Sequence, residues 1–178
     1  MSVSELQERP VETIQPDLLA AANINPRSGL ATDYLNHFNE IAMLLELLPQ
    51  MPECAEDVID WQPASYVEHF RKSTFQEKDL AIAAYGCLDS HLKVAFETVI
   101  ADIDSTIFDA QALVASGDPA NPDVRAKLDT LRSEELLPLL EKANGLIHGV
   151  DPAELAFDAG PAEDKEISVQ ADIDALFD

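Results

Sequence analysis

The stretch TFQEKDLAIAAYGCLDSHLKVAFETVIADIDSTIFDAQALVA (Thr74–Ala115) decides the fold. Leu80, Ala84, Leu88, Leu92, Ala95, Phe96, Val99, Ile103, Ile107, Ala110 and Val114 recur in it at steps of three and four. That is the repeat of an α-helix with one apolar face. Thr74 and Glu77 stand at the spacing of a capping box, so the pattern predicts one helix from Thr74 to about Ala115. Gly86 is its expected bend, because glycine inside a helix costs about 1 kcal/mol relative to alanine.

The same period extends outward. Upstream, Leu30, Tyr34, Phe38, Ile41, Leu45 and Leu48 predict a helix capped by Ser28 and stopped by Pro49. Short helices are expected from Pro52 to Asp60 and from Ser65 to Lys72. Downstream, GDPANP (Gly117–Pro122) is a turn, and Asn121 can cap a helix that starts at Pro122. Pro138 should kink or split that helix before it ends near Gly149. Strand patterns are nearly absent. The expected fold class is all-α: a helical bundle with a long central helix, a flexible N-terminal arm and a disordered acidic C-terminal tail.

Four regions follow. Residues 1–27 are polar, with Pro10, Pro16 and Pro26 and one apolar patch, Leu18–Ala22, and read as an arm with one docked turn of helix. Residues 28–148 are the bundle. Residues 149–178 carry nine acidic residues against one lysine, a disordered composition, divided into a linker (149–167) and a patterned peptide (168–178).

Across all 178 residues, 34 acidic and 11 basic side chains give a formal charge of −23. Such a field repels phosphate backbones and anionic lipid, so neither nucleic acid nor membrane is an expected partner. A basic protein surface, a cation or a salty cytoplasm suits it better. Two cysteines, Cys54 and Cys87, make no disulfide framework and point to a reducing compartment. The first residues show no apolar core behind a basic lead, so the expected location is cytoplasmic.

No strong catalytic or metal signature is present, and no cofactor is expected. His37 and Glu40 share a helix face, but helical di-metal sites need inward Glu-x-x-His pairs on several helices. His91-Leu92-Lys93 is similar to the phosphoryl-accepting step of histidine phosphotransfer domains, with Val94 where a small residue would admit the partner. Asn36, His37, Asn39 and Glu40 form an amide-rich face, either a register-fixing polar seam or a binding face. Cys54 lies among Glu53, Glu56 and Asp57, which would raise a thiol pKa, and Cys87 abuts the apolar stripe.

The sharpest lead is SVQADIDALFD (Ser168–Asp178). Val169, Ile173, Leu176 and Phe177 fall on one face of a short helix, flanked by Asp172, Asp174 and Asp178. So short a helix is marginal alone, and acidic charge at its C-terminal end weakens it further. It is expected to order in a partner's groove.

Gln170–Phe177 resembles the response-regulator-binding peptide of flagellar motor switch proteins, and the acidic, amphipathic terminal peptide of the chemotaxis phosphatase family binds the same regulator. The resemblance implies that Ile173, Ala175, Leu176 and Phe177 face a groove on a receiver domain. Asp172 and Asp174 would then meet basic side chains. The phosphatase's Asp-x-x-x-Gln pair has no counterpart in residues 28–148.

The sequence therefore suggests a non-enzymatic signalling adaptor of a bacterial two-component or chemotaxis pathway. Its partner would be a response-regulator receiver domain, or another protein with a basic-rimmed hydrophobic groove; self-association stays open. The alternative is a helical-bundle phosphotransfer or metal-dependent protein using His91, or His37 with Glu40, with His69 a further candidate.

Overall fold

The computed structural model describes residues 14–157, and these form an all-α bundle. Helix α1 (Pro16–Ala21) is followed by a 3-10 turn (Thr32–Leu35) that runs into α2 (Asn36–Leu47). A second 3-10 turn (Pro52–Cys54) opens α3 (Ala55–Asp60), followed by α4 (Tyr66–Lys72), α5 (Lys78–Gly86) and the long α6 (Ser90–Ser116). The chain returns through α7 (Pro122–Thr130), a π-helical turn (Leu131–Leu136) and α8 (Leu137–Ile147), then adds α9 (Pro152–Phe157). The strand-like pairing among the described residues is an isolated bridge between Ile24 and Ala31. No helix among them is long and apolar enough to cross a membrane.

Helix α6 is the spine. Phe96, Val99, Ile103, Ile107, Ala110 and Val114 bury its apolar face, which packs against α8, α3 and the π turn. The upstream stripe behaves as its period requires: Leu30, Tyr34, Phe38, Ile41, Leu45 and Leu48 are all buried. The core also reaches into residues 14–27. Ile14, Leu19, Ala22 and Ile24 are buried in it, and the docked turn of helix is α1.

The expected single helix from Thr74 is two helices. After Gly86 the chain turns, and the Asp89 carboxylate accepts from the backbone N–H groups of His91 (2.9 Å) and Leu92 (3.3 Å) to start α6. An Asp that can cap satisfies orphan donors that an uninterrupted helix would give to carbonyls, and a neighbouring glycine makes the break inexpensive. The capping box lies earlier than expected. Ser65 and Glu68 form it at the start of α4, whereas Glu77 makes no side-chain cap at α5.

Ser28 does not cap a helix either. Its hydroxyl donates to the carbonyl of Ile147, 119 residues away, and accepts from Leu30 N–H. Pro138 acts one turn ahead of itself. It lacks the N–H that the Glu134 carbonyl would receive, and the turn before it widens to π geometry. Arg132, on that wide turn, reaches across to the Ala42 carbonyl and the Glu46 carboxylate. Past Gly149 (φ +81), α9 occupies part of the stretch expected to be a linker, and Leu155 packs on the core beside Gly145.

Candidate functional site

The amide-rich face of α2 divides among different neighbours. Asn36 Nδ2 donates to Asp33 at 3.2 Å on the surface, and Asn39 and Glu40 are exposed. His37 turns inward and stacks on Trp61, with ring centroids 4.6 Å apart. Its Nε2 is buried without a hydrogen-bond partner among the described residues, and burial holds its pKa below the usual 6.5. The His37 and His69 rings lie 6.1 Å apart, and His69 Nε2 is 3.4 Å from Asp33 Oδ2. This pairing of histidines from α2 and α4 was not visible in the sequence, where they stand far apart.

His91 is exposed in the first turn of α6, Cys54 and Cys87 are buried, and Val94 is exposed. Among the described residues, no group of three or more His, Cys, Asp or Glu could hold a metal ion. The proposed peptide contacts Val169, Asp172, Ile173, Asp174, Ala175, Leu176 and Phe177 lie outside the described residues.

The site with the most chemistry is a cleft of about 390 Å³ between α4, the Pro63–Ser65 connection and α6. Tyr34, Tyr66, Tyr85 and Phe96 line it together with Glu68, Glu97 and Asp104. Hydrogen bonds fix the walls. Tyr34 donates to the Ala64 carbonyl (2.8 Å), Tyr66 accepts from Ala31 N–H (2.9 Å), and Tyr85 donates to Glu97 Oε1 (2.7 Å). Tyr66 and Tyr85 stack with centroids 4.5 Å apart, and Lys93 Nζ lies 4.9 Å from the Tyr85 ring centroid. Burial raises the pKa of all three tyrosines, so they remain neutral hydrogen-bonding groups.

Asp104 differs from every other carboxylate described. Its Oδ1 is buried with no hydrogen-bond partner among the described residues, and burial pushes its pKa up to about 6. The sequence held a signal for it: Ile100, Asp104 and Ile107 stand at steps of four and three, which sets a carboxylate on the margin of an apolar face.

A second groove, about 700 Å³, runs between α6, the π turn, α8 and Leu155 of α9. Its charged lining is Asp102, Asp109, Glu134, Glu135 and Glu141 against Lys142.

No family model matches the chain, and no curated protein or solved structure matches it. Any functional reading therefore rests on the chemistry of the residues themselves.

Proposed function

We propose that this protein is a non-enzymatic signalling adaptor of a bacterial two-component or chemotaxis pathway, acting in the cytoplasm. In this reading Ser168–Asp178 docks as a short helix on a response-regulator receiver domain, and the helical body serves assembly or localisation. The observation that carries it is the pattern of residues 168–178. Four apolar side chains fall on one helical face between aspartates, in an order that resembles known receiver-binding peptides.

The body offers electrostatic support. The large groove beside Leu155, close in sequence to the last described residue, carries five carboxylates and one lysine. Residues 158–178 hold seven acidic residues and one lysine, so like charge disfavours their return to that groove. A basic-rimmed partner is the better match. Burying four apolar side chains contributes roughly 6–12 kcal/mol gross, less about 2–5 for ordering and more for lost rigid-body freedom. Micromolar or weaker affinity is the expected result, suited to reversible signalling.

The test is titration of the full chain against a receiver domain, with and without a beryllofluoride phosphoryl mimic. Micromolar binding that Ile173→Ala with Leu176→Ala abolishes is expected. Binding that survives deletion of 168–178 would overturn the reading. His91, exposed at the start of α6, supports a second reading as a phosphotransfer protein. That one requires acid-labile phosphate on His91 after incubation with a phosphorylated receiver.

A further inference from the structure

We propose that the tyrosine-walled cleft between α4 and α6 binds a small organic cation, an amine carried on an apolar or aromatic framework. Its volume of about 390 Å³ lies within the range of ligand cavities, roughly 300–1,000 Å³. The lining combines four aromatic rings with the carboxylates of Glu68, Glu97 and Asp104; among the described residues no Lys, Arg or His lines it, and Lys93 lies beside it with Nζ 4.9 Å from the Tyr85 ring centroid. The chemistry of the wall is therefore anionic and apolar at once.

Asp104 is the decisive group. A buried carboxylate oxygen normally has a donor, because removing charge from water is costly unless hydrogen bonds replace the lost hydration. Among the described residues Asp104 Oδ1 has none. The hydroxyl groups of Tyr34, Tyr85 and Ser65 in the lining donate elsewhere, to the Ala64 carbonyl, Glu97 and Glu68. The site thus holds a carboxylate oxygen that no donor among the described residues satisfies, and an ammonium ligand would supply one. Glu97, fixed at the cleft by Tyr85, supplies a second carboxylate.

A bare metal ion fits less well. No three ligating side chains converge among the described residues, and aromatic walls coordinate nothing. An organic ammonium uses both parts of the lining, its charge at Asp104 and its framework against the rings. The inference does not depend on residues 168–178, so it stands or falls separately from receiver binding.

Three matched probes test it on the full chain by ligand-observed NMR and calorimetry: phenethylamine, phenylacetate and 2-phenylethanol. Saturable binding of the amine is expected, with at least tenfold weaker binding of the acid and the alcohol. Asp104→Asn should lower amine affinity about tenfold or more, since it removes a charge-assisted hydrogen bond. Ala101→Leu, which fills the cleft from an exposed position of α6, should abolish binding while the thermal melt stays cooperative. Equal binding of phenylacetate, undiminished binding to Asp104→Asn, or no amine binding at millimolar concentration would each overturn the proposal.

Discussion

Trp61 lies over His37, with ring planes 25° from parallel and centroids 4.6 Å apart, and its Nε1–H donates to the His37 carbonyl oxygen at 3.2 Å. This double contact joins the end of α3 to the first turn of α2. It also places the only tryptophan of the sequence against an imidazole held neutral by burial.

That arrangement makes Trp61 a reporter of His37. An imidazolium quenches stacked indole fluorescence, so emission should fall as pH drops, with a midpoint below 6.5. Because the folded pKa is lowered, the His37 contribution to stability is complete above pH 6.5 and is lost as pH falls beneath it. His69, Lys72, Glu40 and Asp33 are charged or titratable groups around His37, and Asp57 and Asp60 stand beside Trp61. His37→Gln should remove the fluorescence step, and a step that persists would show that another group causes it.

Asp104 has the opposite sign. Its folded pKa stands near 6 against 3.8 in the unfolded chain, so its ionisation costs stability as pH rises between those values. Asp104→Asn should be more stable than the parent at pH 7, by on the order of 1 kcal/mol after solvent screening, and indistinguishable below pH 4. Urea denaturation at both pH values measures this.

Gln111 should be a costly side chain to lose. Its Nε2 donates to the carbonyls of Val58 and Trp61, both at 2.8 Å, and so closes the C-terminal end of α3 onto α6. Gln111→Ala should destabilise by about 0.5–1.5 kcal/mol, since part-buried carbonyls lose their donor. Gln111→Glu should be worse, because a carboxylate would face the same oxygens. Chemical denaturation of the two variants ranks them.

Gly149 carries a backbone requirement. At φ +81 any other residue is strained, and an added Cβ would stand 3.0 Å from Arg27 Cβ. Gly149→Ala should cost roughly 1–3 kcal/mol. Gly145→Ala, where the nearest atom of Leu155 is 3.6 Å away, should be tolerated; thermal melts compare the two.

The helical class was legible in the sequence because three- and four-residue spacing survives any local break. The same robustness hid the interruption at Asp89: Leu88 and Leu92 keep the step of four across it. Ser28 looked like a cap because Ser before an apolar run usually is one, yet its hydroxyl serves a carbonyl from the far end of the bundle. Tertiary contacts of that kind leave no local trace. The cleft was illegible for a related reason, since Tyr34, Tyr66, Tyr85 and Asp104 come from separate elements. Only the position of Asp104 beside Ile103 marked it.

The Ser28–Ile147 hydrogen bond has a consequence for synthesis. The segment holding Ile14, Leu19 and Leu30 leaves the ribosome well before the helix that completes its contact exists. At about 5–20 residues per second, that interval is on the order of ten seconds. Throughout it, an apolar stretch of nascent chain waits without its final surface. Residues 14–31 therefore make their last contact only after α8 has been synthesised.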